Sequence, residues 1–358
     1  MRSPLCHLLS LSDDPVIGHL FPLFPLPLPL CLCPCRRLKS VWTPRYPGTV
    51  WTSRNPTMSD LLQHLPIELQ SYIFGYLHLG DLVCFSATCK SISKDIRRYI
   101  LFRWCHLAGR FFCDPDKLFR LLYACQAVIS GSGALYLLQP FLATPWIPND
   151  LDIYISHDNA QLLLAALTIE GYCQVLSSPA RSKSYLRPQF HSTITFIRSQ
   201  QTIDVIVATK STGIYPIFHF HSTILMNFVT HDSICCTYPQ LTLRGLSVIH
   251  PFFAYDTILN RAAIDALLKY HHRGFVYLTC YHVHVHFHCF KHTSCKLNDK
   301  SCMWVVTKLT PFAPHTRCDI YSRLGIINAI WHLGGELCTT DSYSNFTPSS
   351  VRILLDSG

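Results

Sequence analysis

The stretch Val128–Ile155 constrains the fold more than any other part of this chain. It reads VISGSGALYLLQPFLATPWIPNDLDIYI: a strand, a glycine-serine turn, a short helix, a loop broken by Pro140, Pro145 and Pro148, and a second strand carrying two carboxylates. Side chains alternate faces along a strand. Asp150, Asp152 and Tyr154 therefore share one face, while Leu151, Ile153 and Ile155 point the other way into a core. Carboxylates two residues apart on a strand repel each other unless a cation lies between them, and hard oxygen ligands of this kind suit Mg²⁺. The Gly131-Ser132-Gly133 turn could present backbone N–H groups to a phosphate. A third acid, Asp204, lies in another strand-like run, Thr202–Val207. A plainer alternative has Asp150 capping a turn after Pro148-Asn149, where Asp and Asn are favoured.

Around this stretch the elements alternate. His157 to Gly171 reads as a helix with Leu162, Leu163, Ala166, Leu167 and Ile169 at helical spacing, and strands follow at Phe190–Ile197 and Thr202–Val207. Alternation of this kind argues for an α/β domain with a mixed sheet. His221-Ser222-Thr223 invites a catalytic pairing, but adjacent residues on one element do not face each other, so a buried polar brace is expected. Asp256–Tyr270 reads as an amphipathic helix closed by Arg273-Gly274. The segment 280–302, CYHVHVHFHCFKHTSCKLNDKSC, puts His282, His284, His286 and His288 on one face of a strand. Cys289, His292, Cys295 and Cys302 lack the short CxxC knuckles of a zinc module, so zinc is not expected. A short helix is expected around Leu324–Trp331.

The chain upstream has a different character. Phe-Pro-Leu-Phe-Pro-Leu-Pro-Leu-Pro-Leu favours polyproline II, and the prolines prevent residues 16–35 from forming a membrane helix. Residues 1–57 are read as a disordered Pro-rich leader, with Met58 as a natural start. Of the net charge of +9, the leader carries +4, from Arg2, Arg36, Arg37, Lys39, Arg45 and Arg54 against Asp13 and Asp14. The rest is too weakly basic to imply a nucleic-acid partner. The 18 cysteines show no framework spacing, so they are read as reduced and the protein as cytoplasmic or nuclear.

From Met58 the chain reads SDLLQHLPIELQSYIFGYLHLGDLVCFSATCKSISKDIRRYILFRW. Leu65, Leu69, Ile73 and Leu77 recur every four residues as one apolar stripe. Pro66 suits a first helical position. A second helix is expected near Asp81 with Leu82, Phe85 and Cys89 inward, and a third with Ile92, Ile96, Tyr99 and Ile100. Three short helices make a core too small to stand comfortably alone. The order LPxEL…I…YL…DL…S…TCK resembles the F-box motif. The resemblance implies a helical module docking on the adaptor subunit of an SCF-type cullin–RING ubiquitin ligase, with Leu65, Pro66, Leu69, Ile73, Leu77 and Leu82 as partner-binding residues.

The Gly-Ser turn, the Asp150/Asp152 strand and Asp204 together resemble the nucleotidyltransferase superfamily. That resemblance implies nucleotide held by Gly131 and Ser132, metal held by Asp150, Asp152 and Asp204, and Asp204 as base. The long gap from Ser132 to Asp150 and the lack of a basic cluster beyond Arg181, Lys183 and Arg187 depart from the pattern. The stretch 128–276 is similar to uncharacterised fungal proteins in which such a domain follows an F-box. The expected fold class is thus α+β multidomain: a three-helix F-box at 58–105, a helical linker at 106–127, a nucleotidyltransferase-like mixed-sheet domain at 128–276 and a His/Cys-rich extension at 277–358. The expected function is a ubiquitin-ligase substrate adaptor whose α/β domain binds an unknown protein target without catalysis. The alternative is a Mg²⁺-dependent nucleotidyltransferase with structural N-terminal helices.

Overall fold

Four helices precede the first strand in the computed structural model, which describes Leu62 and residues 64–179, 190–250, 261–278, 294–307, 323–334 and 348–355, with only the backbone of 176–179. Helix α1 spans Ile67–Gly75, α2 Leu79–Ser86, α3 Lys90–Gly109 and α4 Pro115–Ala124. Pro66 sits one position earlier than expected, at the N-cap of α1. Asp114 caps α4, its side chain accepting from the Asp116 amide just ahead of the favoured proline position. Helix α3 buries Ile92, Ile96, Tyr99 and Ile100, as their spacing predicts, and continues through Trp104 and Leu107. The boundary expected between 105 and 106 therefore falls inside one helix.

The remainder is built on an eight-stranded sheet. Its strands are β1 (Val128–Ser130), β2 (Asp150–Ser156), β3 (Cys173–Pro179), β4 (Phe190–Arg198), β5 (Gln201–Ala208), β6 (Asn227–Val229), β7 (Ser233–Cys236) and β11 (Met303–Val306). In space they run β11-β7-β6-β1-β2-β5-β4-β3. The β2–β5 pair is parallel and the other neighbours are antiparallel, so the sheet is mixed as expected. Helix α5 (Gly131–Leu138) follows β1 without a linker, and α6 (His157–Ile169) follows β2. The expected glycine-serine turn is thus the first turn of α5. Smaller elements complete the fold: α7 (Pro239–Thr242), a parallel pair of β8 (Leu246–Val248) with β9 (Val276–Leu278), α8 (Arg261–His272), and a three-stranded sheet of β10 (Cys295–Lys296), β12 (Asn328–His332) and β13 (Ser350–Leu354). The helix expected around Leu324–Trp331 is instead largely strand β12. Its backbone groups pair with β10 and β13, long-range partners that local periodicity does not register.

Period-two alternation divides the core into two. Ile129, Leu151, Ile153, Ile155, Ile203, Val205 and Val207 join the cluster that also holds Phe74, Leu79, Leu82, Ile96, Trp104 and Leu163. On the opposite face, Val128, Tyr154 and Ile206 join Phe218, Phe228, Tyr270 and Trp331. The N-terminal helices therefore complete their small core by packing on the sheet. Two glycines permit the approach: a side chain at Gly75 would strike Leu142, and one at Gly80 would strike Leu243. The Leu142 amide donates to the Gly75 carbonyl at 2.9 Å. At the far end of α3, Arg198 of β4 donates to the Phe111 carbonyl and lies 4.5 Å over the Tyr172 ring. All described residues belong to one unit, Asn55–Gly358.

Candidate functional site

The face of β2 that turns away from the N-terminal helices carries Asp150 and Asp152. In the parallel register, Asp152 stands beside Asp204 of β5. Carboxylate oxygens of Asp150, Asp152 and Asp204 all lie within 4.8 Å of one another, and each residue is half-buried. Ser132, in the first turn of α5, donates its hydroxyl to Asp150 at 3.3 Å. Thr195 of β4 donates to Asp204 at 2.6 Å. The three acids and Ser132 singled out in the sequence thus converge. Asp150 opens β2 as a strand residue paired with Thr202, which overturns the alternative of a turn cap.

Gly131 holds the constellation together by having no side chain. Its φ of +63° is unfavourable for other residues, and a Cβ there would collide with the Asp152 carboxylate. Glycine lets β1 turn directly into α5, so the positive N-terminal end of that helix and the Ser132 hydroxyl arrive beside the acids.

Crowding leaves its mark on the protonation of these groups. Burial pushes Asp152 well above the ordinary carboxylate range, and the negative charges of Asp150 and Asp204 push it further; Lys269 of α8 pulls the other way. Asp204 is raised chiefly by burial and also by Asp150, against the lowering effect of the Thr195 hydrogen bond. Three carboxylates crowded this closely are chemically suited to a hard divalent cation, which would relieve their repulsion.

Sequence reading missed the positive side of this site. Lys269 is exposed on α8 and lies 5.7 Å from the Tyr270 ring. Arg273 places its guanidinium 5.2 Å over the same ring and 4.1 Å over Trp146. In the sequence Lys269 reads only as a residue of the last helical turn. Arg181, Lys183 and Arg187, the basic residues considered first, lie outside the described residues.

The region around His221 is a brace. Burial holds His221 down to about 4, with Lys269 adding to the effect. The Thr223 hydroxyl accepts from the Val248 amide at 3.0 Å, Ser247 accepts from the Ile224 amide at 3.1 Å, and Asn227 donates to the Ile224 carbonyl at 2.7 Å. These bonds tie β8 to the sheet and fit the expected buried polar motif. Of the His/Cys segment, Cys280, the four alternating histidines, Cys289 and His292 lie outside the described residues, whereas Cys295 and Cys302 are buried. Among the described residues, the aspartate trio is the only group of metal-ligand side chains close enough to share an ion.

A second candidate site lies on α1. Ile67, Leu69, Tyr72 and Tyr76 expose large apolar side chains, whereas Phe74 and Gln70 turn inward. Leu65, Ile73 and Leu77 are half-buried against the core and Pro66 is exposed. Leu82, named among the partner-binding residues, is fully enclosed between α2 and the sheet-side core, so it supports the module from within.

Comparison with known proteins bears on both sites. The F-box domain model matches residues 62–94. Metalloendopeptidase OPG085 of vaccinia virus (strain Copenhagen) is 23% identical over 253 residues, covering 65% of this chain and 40% of the viral protein. The proteins of that name from monkeypox virus and vaccinia virus (strain Ankara) match to the same extent. The chain thus spans only 40% of the length of the curated relatives it matches. Glu68, Glu170 and Glu336 are its glutamates, and none adjoins a histidine, so neither H-E-x-x-H nor H-x-x-E-H occurs. No solved structure matches the chain.

Proposed function

We propose that this chain is a substrate adaptor of an SCF-type cullin–RING ubiquitin ligase, its F-box recruiting the ligase's adaptor subunit and its α/β domain binding a protein target. The F-box match at 62–94 carries the reading. The exposed row Leu69, Tyr72 and Tyr76 supports it, because apolar side chains left in water along one face of a helix are suited to a groove on a partner. No helix among the described residues is long and apolar enough to cross a membrane. Leu65→Ala with Leu69→Ala is expected to weaken binding of purified adaptor subunit at least ~100-fold, about 2.7 kcal/mol, in a calorimetric titration. Unchanged affinity in a folded variant sinks the reading.

The convergence of Asp150, Asp152 and Asp204 beside Ser132 favours a second reading, Mg²⁺-dependent nucleotidyl transfer. Bound between the carboxylates, the cation would supply charge stabilisation at the phosphoryl centre. The chain's own residues would do the rest. Gly131 and Ser132 would receive phosphate oxygens at the start of α5, and Lys269, whose charge reaches Asp152, would offset part of the negative charge. Asp204 would take the proton of an incoming hydroxyl. The purified chain incubated with Mg²⁺ or Mn²⁺ and each labelled nucleoside triphosphate is expected to transfer label to an acceptor hydroxyl. Failure with all four leaves the α/β domain as a binding domain only.

A further inference from the structure

The apolar face of α1 continues past the F-box helices. Gly75, next to Tyr76, packs on Leu142 of the α5–β2 loop, and its missing side chain leaves the Tyr99 hydroxyl 3.4 Å from where a Cβ would sit. Tyr99 packs 6.5 Å from Phe102, and Phe102 meets Phe141, the neighbour of Leu142, edge-on at 6.4 Å. Leu142 thus packs directly on Gly75, the chain neighbour of Tyr76, and Phe102 joins them through Tyr99 and Phe141. All five side chains of this surface, Leu69, Tyr72, Tyr76, Phe102 and Leu142, are between 43% and 57% exposed.

We infer that the adaptor-binding surface is composite, with Phe102 of α3 and Leu142 of the α5–β2 loop burying against the same adaptor subunit as Leu69, Tyr72 and Tyr76. This rests on the F-box reading given above. Three observations favour the adaptor as occupant. The first is continuity, since the Leu142–Gly75 backbone bond and the aromatic contacts fix the loop to α1 as one surface. The second is area: a specific interface buries about 800 Å² per partner. Three half-exposed large side chains on α1 offer roughly a third of that when an aromatic buries about 150–250 Å² in full. The third is composition. From Leu69 to Leu77 and from Gln139 to Pro148 the chain carries no Asp, Glu, Lys or Arg, matching the charge-depleted, aromatic-rich centre of an interface.

The test uses the full chain and purified adaptor subunit in a calorimetric titration. Phe102→Glu and, separately, Leu142→Glu are expected to weaken binding about 10-fold or more each, with helical circular dichroism and melting temperature retained. Leu69→Glu serves as reference and is expected to abolish binding. If Leu69→Glu loses binding while Phe102→Glu and Leu142→Glu stay within about twofold of the parent, the composite surface is wrong and the F-box reading stands. If all three bind like the parent, both are wrong. Leu142 packs on Gly75, so should Leu142→Glu fail to fold, Phe102→Glu alone decides. A parent chain that sediments as a dimer, which Phe102→Glu dissolves without change in adaptor affinity, would assign the patch to a second copy and overturn the inference.

Discussion

Replacing Arg103 by alanine is expected to cost about 3–5 kcal/mol of stability and lower the melting temperature by roughly 10 °C. Arg103 sits on α3 with 1% of its surface exposed. Its Nη2 donates to the Tyr136 carbonyl at 3.2 Å and to the Gln139 carbonyl at 2.6 Å, and its guanidinium lies 5.8 Å from the centre of the Phe141 ring. Burial lowers its affinity for a proton, yet arginine stays charged in proteins. Tyr136 and Gln139 close α5, so the cation also opposes the negative end of that helix. Alanine would take the donor from the Gln139 carbonyl, leave the Tyr136 carbonyl only the Gln139 amide at 3.3 Å, and open a cavity the size of a guanidinium. Lysine keeps the charge but loses the planar guanidinium whose Nη2 reaches both carbonyls, and is expected to recover less than half of the loss. Chemical denaturation measures all three, and an alanine variant within 1 kcal/mol of the parent would refute this account.

The consequence reaches the carboxylate site. Helix α5 carries Ser132 at its other end, so Arg103 links the F-box helices to the position of Ser132 beside Asp150. The variant is expected to weaken any ligand response of the acidic site as well as the fold.

Asp152→Asn is expected to raise the stability of the metal-free protein at pH 8 and to remove its response to Mg²⁺. In the folded chain Asp152 holds its proton well above the ordinary carboxylate range, because it is buried beside Asp150 and Asp204. Below the ordinary value both folded and unfolded chains are protonated and nothing is lost. As the pH rises past it, the unfolded chain releases the proton first, so stability falls until the folded value is passed. Asp204, also raised, contributes in the same direction. A divalent cation favours the ionised trio and should restore the loss, giving a larger gain in melting temperature at pH 8 than at pH 5. Asparagine removes one ionising group and with it both effects, and any nucleotidyl transfer should fall on the order of 10³-fold, the several kcal/mol of charge stabilisation at stake. A parent whose melting temperature ignores Mg²⁺ at both pH values would refute cation binding by the trio.

Local sequence patterns account for much of this arrangement. Alternation along Asp150–Ile155 places the acids on one face and Leu151, Ile153 and Ile155 on the other, and the two core clusters divide along that line. The stripe through Leu65, Leu69, Ile73 and Leu77 and the motif around it locate the helices matched by the F-box model. These features are local: a period of two or of about four residues states which side of an element is apolar, whatever the element packs against. Leu82 and Leu69 mark the limit of such reading. Both are leucines on one motif, yet the first is enclosed and the second half-exposed, because only the sheet behind α2 decides which face is already covered.

The sequence by itself determined the strand faces, the F-box helices and the residue types of an oxygen-rich site. Tertiary structure alone decided that Asp204 stands beside Asp152, since parallel register depends on a connection through α6, β3 and β4 that no local pattern encodes. It alone brought Lys269 to the acids and joined the F-box to the sheet through Gly75, Gly80 and Arg103. Each of those contacts spans elements far apart in the chain, where packing and desolvation, rather than periodicity, select the partner.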